Sequence, residues 1–250
     1  MILSDSNMSN KTERRLLAVF AHPDDEVFRT GGTLALLAKQ GVRVQVLTAT
    51  RGQAGSCGNP PLCKTGELAA VRESELRCAC LTLGLEQPMV LNYQDGHLHT
   101  ANAKEIISEI LKVIEKYHPQ MMISFGEFGI SGHPDHIAIG RFALEAFNQS
   151  EGVCALLAPA VPQTIADQLK MTQIHAEPDG WITHMVDISE VWDAKLEAIL
   201  CHRTQLNESP ILKADQQKQR LFLGKEHFRL VASRETPGCQ NVDLLPWLAY

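Results

Sequence analysis

A cluster of one histidine and three carboxylates near the amino terminus has the residue types that metal chemistry needs. Residues 21–26 read Ala-His-Pro-Asp-Asp-Glu and directly follow the apolar run at 16–20. The run predicts a buried strand, and Pro23 suits the first turn of a helix that begins where the strand ends. His22 and Asp25, three residues apart, are then expected to share one helix face. An imidazole and a carboxylate on one face could hold a divalent metal ion, and a second carboxylate beside them could handle a proton.

A related motif recurs far downstream. Residues 132–136 read Gly-His-Pro-Asp-His and come after a second apolar run, at 121–125. Each motif would leave the carboxyl end of a strand, and ligands of parallel sheets bind beyond those ends. Two such corners could therefore build one site from distant parts of the chain.

The sequence between the motifs alternates between strand-like and helix-like segments. Strands are predicted at 16–20, 42–47, 89–91, 121–125 and 153–158. This alternation predicts an α/β fold with a doubly wound, mostly parallel sheet. In the common strand order 3-2-1-4-5, the ligand crevice separates strands one and four, and these are the strands that the two motifs follow.

The carboxy-terminal part departs from this alternation. Extended stretches are expected at 171–175 and 181–186, helices at 189–205 and 211–223, and a late edge strand at 228–231. No linker-like composition separates this part from the rest. We therefore predict a single domain over 15–250, with a core at 15–159, an extension or cap at 160–250, and a disordered N-terminus at 1–14.

Composition indicates an ordinary globular protein. The 250 residues are 44% hydrophobic and 21% charged, with a formal net charge of −6. No basic stripe supports a nucleic-acid partner, and no run approaches the roughly 20 apolar residues of a membrane span. Because the polar N-terminus also lacks the apolar segment of a secretion signal, a cytoplasmic location is expected.

The seven cysteines are an odd number in a chain without a secretion signal, which favours reduced thiols over a disulfide framework. A structural zinc site built from Cys57, Cys63, Cys78 and Cys80 is an alternative. However, no C-x-x-C pair occurs among them, so small buried or loop thiols are the favoured interpretation.

A hydrolytic zinc site needs a few nitrogen and oxygen ligands, an open position for water, and a nearby base. The two motifs offer ligands at His22, Asp25 and His136, and a base at Asp24. One turn before His136, His133 could act on an oxyanion or leaving group as a cation or hydrogen-bond donor.

Asp135 completes the second motif and could orient or charge-tune a histidine. A lone His-Pro-Asp is usually a helix-opening turn whose aspartate stabilises the helix N-terminus. Two such corners after strands one and four, with ligand-type residues at matching offsets, favour the metal site. Glu26 is interpreted as a first-turn partner of the helix dipole and not as a ligand.

Both motifs, together with Gly31-Gly32 just after the first, resemble the PIG-L/LmbE family of metal-dependent N-deacetylases. The resemblance implies a Rossmann-like fold, a zinc centre, and hydrolysis of an N-acyl amide by metal-bound water, commonly on a glucosamine-type sugar. It also implies that His22, Asp25 and His136 are the metal ligands, Asp24 the general base, and His133 the electrostatic or acid group.

Looser similarity to the family continues through Arg72, Asp95 and residues 195–205, which makes Arg72, Asp95 and His202 the candidate substrate-binding residues. Each also has a plain structural interpretation. Arg72 could be a solvated helix residue, Asp95-Gly96 is first of all a turn signal, and His202 lies on an amphipathic helix where packing is the default.

The leading function is therefore a zinc deacetylase of a small N-acetylglucosamine-type glycoside or related amide. Two alternatives stay open: a metal-dependent amidase acting on a larger thiol conjugate, and a non-catalytic metal- or nucleotide-binding module. Against nucleotide binding, strand one ends in His-Pro-Asp-Asp and not in G-x-G-x-x-G. The predicted ligand set also accepts Fe²⁺ or Co²⁺. The expected partner is a small N-acylated molecule, and the assembly state is open, a homo-oligomer included.

Overall fold

The computed structural model describes residues 13–240 and 242–248. Most of the expected disordered N-terminus, residues 1–12, lies outside the described residues. The strands are β1 (Arg15–Phe20), β2 (Arg43–Thr50), β3 (Met89–Tyr93), β4 (Met121–Ser124), β5 (Ala155–Ala160), β6 (His184–Asp187) and β7 (Lys225–Ser233). Among the described residues they form one seven-stranded sheet in the order β3-β2-β1-β4-β5-β7-β6.

The first five strands are parallel and follow the predicted order 3-2-1-4-5, which confirms the doubly wound α/β fold. β1 is fully buried from Leu16 to Phe20, as expected of a central parallel strand covered on both faces. β1 and β4 are direct neighbours, with Val19 opposite Ser124 at their carboxyl ends. The two motifs therefore leave the sheet side by side.

Helices cover both faces of the sheet. They are α1 (Asp25–Phe28), α2 (Gly31–Lys39), α3 (Leu68–Thr82), α4 (Ala103–Tyr117), α5 (Pro134–Gln149), α6 (Gln163–Leu169), α7 (Trp192–Cys201), α8 (Gln216–Leu223) and α9 (Leu244–Leu248). None of the helices in the described parts of the chain is long and apolar enough to cross a membrane.

The carboxy-terminal elements differ from the sequence-based expectation. β7 is not an edge strand: it is nine residues long and pairs antiparallel with β5 on one side and β6 on the other. The edge is β6, where Met185 faces outward and is exposed. A short β-rich segment read alone gives no information about its partners, so its position in the sheet could not be predicted.

The other expected elements of this region are shortened or broken. Residues 171–175 form irregular chain after α6 and not an extended strand. The helix expected at 189–205 is a 3-10 turn, Ser189–Val191, followed by α7, and the helix expected at 211–223 is a 3-10 turn, Pro210–Lys213, followed by α8. Asp215 caps α8 by accepting a hydrogen bond from the Lys218 N–H at 2.9 Å, so the second helix begins there.

A buried ion pair joins this region to the core. The Lys195 ammonium lies 2.7 Å from a carboxylate oxygen of Glu226, and both side chains are fully buried. The same carboxylate accepts hydrogen bonds from the backbone N–H groups of Gly32 (2.9 Å) and Thr33 (2.7 Å) at the start of α2. A Cβ on Gly32 would lie 2.5 Å from Ile188, so the motif glycine permits this close approach.

The expectation of reduced thiols is wrong for four of the seven cysteines. Disulfides join Cys78 to Cys201, between α3 and α7, and Cys154 to Cys239. The partners are 123 and 85 residues apart in the sequence. It is therefore the tertiary fold that brings them together, and not a local motif. An odd count excludes complete pairing but not partial pairing. Cys57, Cys63 and Cys80 are free.

Candidate metal centre and its cavity

The first corner leaves β1 as an irregular turn. α1 begins only at Asp25, and the preceding Asp24 has a left-handed backbone with φ of 100°. The Asp25 carboxylate accepts hydrogen bonds from the backbone N–H groups of His22 at 2.8 Å and Ala21 at 3.2 Å. His22 and Asp25 therefore lie close together, as predicted. They do not share a helix face, however; they are close because the Asp25 carboxylate folds back over the end of the strand.

The second corner opens α5 and presents two histidines. His133 is the N-cap residue, and its Nδ1 accepts a hydrogen bond from the backbone N–H of Asp135 at 3.2 Å. His136, one turn later, has its Nδ1 3.1 Å from the carbonyl oxygen of Gly129. Because a carbonyl only accepts, the Nδ1 of His136 carries the proton and its Nε2 is free to bind a metal ion.

Three residues from the two corners bring potential ligand atoms close together. The Nε2 of His136 lies 3.1 Å from the Oδ1 of Asp25 and 3.3 Å from the Nδ1 of His22. The Nδ1 of His22 lies 3.6 Å from the other oxygen of Asp25, Oδ2. Two ligands at about 2.1 Å from a tetrahedral zinc ion lie about 3.4 Å apart, so the separations of the His136 Nε2 from the Asp25 Oδ1 and the His22 Nδ1 fit such an ion.

The opposite nitrogen of His22 is held by two buried carboxylates. Its Nε2 lies 3.0 Å from the Oδ1 of Asp95 and 3.3 Å from the Oδ2 of Asp135. Asp135 also accepts the backbone N–H groups of Gly96 (2.7 Å) and Leu98 (2.9 Å). Although His22, Asp95 and Asp135 lie close enough to form a metal cluster, their polar atoms are already engaged with one another, so this group orients the ring of His22.

Charge at the centre also fits a cation. Burial disfavours the protonated form of His22, but hydrogen bonds to Asp135, Asp25 and Asp95 outweigh burial and raise its pKa to about 12. Burial opposes ionisation of Asp25, yet His136 and His22 hold its pKa well below the usual value. Three carboxylates around one imidazole leave an excess of negative charge that a divalent cation would neutralise.

Asp24 lies beside these atoms in a different environment. Its Oδ2 is 3.1 Å from the Nη2 of Arg72, and its side chain is 22% exposed toward the cavity. Burial raises its pKa to about 6, with Asp25 adding to the rise and Arg72 opposing it. Such a carboxyl group is ionised at neutral pH and can still accept a proton.

Behind Asp24 lies a buried pair that the sequence interpretation missed. One carboxylate oxygen of Glu26 accepts the backbone N–H of Asp24 at 3.0 Å, and the other lies 2.6 Å from the Nε2 of His202. Both side chains are almost completely buried, and neither lines the cavity. Glu26 thus does more than interact with the helix dipole, and His202, predicted to contact substrate, lies behind the cavity wall. No local signal links two residues this far apart in sequence.

The other predicted substrate-binding residues line the cavity but already have protein partners. Arg72 is 4% exposed and donates to the carbonyl oxygens of Gly52 at 2.8 Å and Pro23 at 2.5 Å, besides contacting Asp24. The second oxygen of Asp95 accepts the backbone N–H of Ala54 at 2.9 Å. Their polar atoms thus fix the site's own loops.

His133 faces the other two histidines, with ring centroids 5.0 Å from His22 and 4.9 Å from His136. Burial, followed by the nearby His136 and His22, lowers its pKa. Since the Nδ1 of His133 accepts a hydrogen bond from backbone, its neutral ring carries the proton on Nε2. The three rings are close enough to share an ion, so His133 competes with Asp25 as a third ligand.

The centre forms the floor of a cavity of about 870 Å³. All of the predicted metal ligands, Asp24 and His133 line it. Its upper wall comes from residues 169–174 and 209–222, which belong to the carboxy-terminal region. The loop at 54–55, after β2, forms a further part of the rim.

A model of the family described as GlcNAc-PI de-N-acetylase (PIG-L) matches residues 17–147. A probable N-acetyl-alpha-D-glucosaminyl L-malate deacetylase 2 of Bacillus cereus is 32% identical over 199 residues, which cover 77% of this chain and 84% of that protein. A 1D-myo-inositol 2-acetamido-2-deoxy-alpha-D-glucopyranoside deacetylase of Actinosynnema mirum is 33% identical over 228 residues, with 77% and 81% covered.

Among solved structures, N,N'-diacetylchitobiose deacetylase from Pyrococcus horikoshii superposes with a TM-score of 0.69 and 22% identity, covering 88% of this chain and 85% of that one. At that identity the likeness supports the fold. The family model spans both histidine motifs and more than half of the chain. The resemblance inferred from those motifs is thereby confirmed, and the chain belongs to the PIG-L family of N-deacetylases.

Proposed function

We propose that this chain removes the acetyl group from a small N-acetylglucosamine-type glycoside, using a zinc ion held between the two corners. The observation that carries this proposal is the convergence of His22, Asp25 and His136, at separations of 3.1 to 3.6 Å, beside a carboxyl group with a raised pKa. A site that only stores metal does not need the additional carboxyl group of Asp24. The named relatives, all deacetylases of glucosamine derivatives, support the reaction and the sugar.

The metal would be held by the Nδ1 of His22, the Nε2 of His136 and the carboxylate of Asp25. When bound, it supplies Lewis-acid polarisation and lowers the pKa of water toward about 7. Zinc favours such nitrogen and oxygen ligands, and Fe²⁺ or Co²⁺ are accepted by the same set. Asp95 and Asp135 hold the His22 ring so that its Nδ1 faces Asp25 and His136.

Asp24 acts as the general base. Its carboxylate takes a proton from the attacking water, and its pKa of about 6 leaves it ionised at neutral pH. The nearby Arg72 guanidinium, 3.1 Å away, fixes the orientation of the carboxylate. After the carbonyl carbon has gained the water oxygen, the carbon–nitrogen bond breaks, acetate departs, and the sugar nitrogen leaves as an amine that must gain a proton.

His133 stabilises the charge that develops during this step. Because its Nδ1 accepts the Asp135 N–H, the Nε2–H of the neutral ring is free to donate toward the amide oxygen. The departing nitrogen gains the proton that Asp24 took from the water, and His133 keeps its Nε2–H throughout. This role differs from that of the three ligands, since it requires His133 to act without binding the metal.

The test combines metal analysis with a screen for primary-amine release over N-acetylglucosamine glycosides. We expect one metal ion for each chain, amine release from at least one glycoside, and loss of turnover with retained metal in the Asp24→Asn variant. The isosteric amide keeps the shape of the carboxylate but cannot take the proton. Near wild-type turnover by this variant would falsify the role of Asp24, and amine release only from bulky thiol conjugates would favour the amidase alternative. Cell fractionation would test the cytoplasmic location expected from the sequence, which the two disulfides do not favour. Gel filtration would test a homo-oligomeric state.

A further inference from the structure

The cavity above the metal centre is large, and apolar side chains make up much of its lining. At about 870 Å³ it lies near the upper end of the roughly 300–1,000 Å³ found for drug-sized ligands. Its floor is the polar centre, whereas the upper wall carries Leu169, Met171, Ile174, Ile211 and Phe222, interspersed with exposed polar residues such as Lys170, Thr172 and Gln173. Four of these apolar side chains are half-buried, and Phe222 is buried, so the wall presents apolar surface to the cavity.

The two buried arginines that line the cavity, Arg29 and Arg72, lie outside the upper wall, and their terminal nitrogens are engaged within the protein. Arg29 donates to the carbonyl oxygens of Phe222 and Ala160, and Arg72 donates to backbone carbonyls and contacts Asp24. The other cations among the described lining residues are two exposed lysines, at 170 and 218, of which Lys218 pairs with Asp215 at 3.2 Å. The wall therefore lacks a buried cation that could receive a carboxylate or phosphate on the substrate.

The wall is preformed even though much of it is irregular chain. The Met171 N–H donates to the carbonyl oxygen of Ala166 at 2.9 Å, which holds the start of the 171–174 segment against α6. On the other side, the side-chain amide of Gln219 donates to the carbonyl oxygens of Leu212 (3.1 Å) and Ala214 (3.0 Å). These bonds fix the two apolar segments in place, as expected of a binding surface.

We propose that this wall is a subsite for an apolar aglycone, an alkyl chain or aromatic ring attached to the sugar. The inference rests on the proposed function. If the acyl group removed is acetyl, then the aglycone is the part of the substrate that can carry a large apolar group. The sugar's acetamide then lies over the metal centre, and the aglycone packs against Met171, Ile174 and Ile211. A polyol would leave this apolar surface in contact with water, and the charges of a dicarboxylate would lack buried partners on the wall.

The test compares octyl and methyl glycosides on the full-length protein. Binding of octyl and methyl glucosaminide, which already carry the free amine, is measured by calorimetry, and kcat and KM are measured for the N-acetylated forms. Each fully buried methylene contributes roughly fourfold in affinity. We therefore expect the octyl compound to bind at least about tenfold more tightly than the methyl compound.

Two substitutions locate the effect. Met171→Ser and Ile211→Ser should each lower the octyl-to-methyl affinity ratio several-fold, because each puts a hydroxyl group on the apolar wall. The matched control is Met185→Ser, on the outer edge of β6, where methionine is exposed and does not line the cavity. This control should leave the ratio and the turnover unchanged.

Several results would overturn the subsite. They are equal binding of octyl and methyl compounds, an octyl preference that neither wall variant changes, tighter binding of a dicarboxylate glycoside, or faster hydrolysis of N-octanoyl than of N-acetyl substrates. Tight octyl binding without amine release from any glycoside would support the subsite and refute the proposed function instead. The two ideas therefore fail in distinguishable ways.

Discussion

The carboxylate of Glu26 and the imidazole of His202 meet at 2.6 Å behind the proposed base, 176 positions apart in the sequence. The second oxygen of Glu26 accepts the N–H of Asp24, whose φ of 100° is rare for a residue other than glycine. Such a backbone costs of order 1–3 kcal/mol and persists only where its surroundings enforce it. Glu26 is therefore a positioning residue for Asp24.

Replacing Glu26 by alanine removes this support. We expect kcat to fall roughly 10- to 100-fold, as for other residues that orient a site, with KM nearly unchanged because Glu26 does not line the cavity. Glu26→Gln, which keeps an acceptor oxygen for the Asp24 N–H, should recover part of the loss. The matched control is Asp243→Asn, which removes the exposed carboxylate from a second carboxylate–histidine pair, Asp243 with His184, also 2.6 Å apart. A fall in kcat equal in the alanine and glutamine variants would contradict positioning through this hydrogen bond.

The pair of Asp24 and Arg72 sets the acid limb of the pH profile. Asp24 must be ionised to accept a proton, so kcat/KM should decline as the pH falls through its pKa of about 6, or lower where a bound cation stabilises the carboxylate further. Arg72 lowers this pKa. In Arg72→Met the limb should therefore move to higher pH, which a pH series of kcat/KM would measure.

The control for this shift is Arg77→Met on the same helix, α3, where the guanidinium is exposed and pairs with Glu73 at 2.8 Å. Its pH profile should match the wild type. An Arg72→Met profile that keeps its acid limb and shows only a raised KM would instead indicate that Arg72 contacts the substrate.

The two corners could be predicted because their determinants are local. Each is a short motif after an apolar strand, and the strand-order rule for doubly wound sheets places the strands side by side. The pairs that support the site are long-range. Glu26 with His202, and Lys195 with Glu226, join residues that show no mutual signal in one sequence. The same limit applies to β7, whose partners in the sheet are set by tertiary packing.

The identity of the third ligand can be decided by metal content. If Asp25 completes the set, Asp25→Ala and His136→Ala should each lose the metal, whereas His133→Ala should retain it and lose turnover by roughly 100- to 1,000-fold, the range for a donor that stabilises an oxyanion. His97→Ala, an exposed histidine near the site, serves as the control and should keep both. Loss of metal in His133→Ala with retention in Asp25→Ala would assign the ligand set to the three histidines instead.

The number of reactive thiols tests whether the two disulfides join the carboxy-terminal region to the rest of the fold. Alkylation of the denatured protein without reductant should modify three cysteines, and after reduction all seven, because Cys78–Cys201 and Cys154–Cys239 are closed. Cys154→Ser should lower the free energy of unfolding by about 2–4 kcal/mol, typical of a bridge that closes a long loop. Cys57→Ser, at a free cysteine, is the control and should change it little. Seven reactive thiols without reductant would contradict both bridges.

The same count bears on location, because disulfides persist mainly in oxidising compartments. Seven reactive thiols would favour the cytoplasmic location. Three reactive thiols in protein taken directly from its native cells would argue against it.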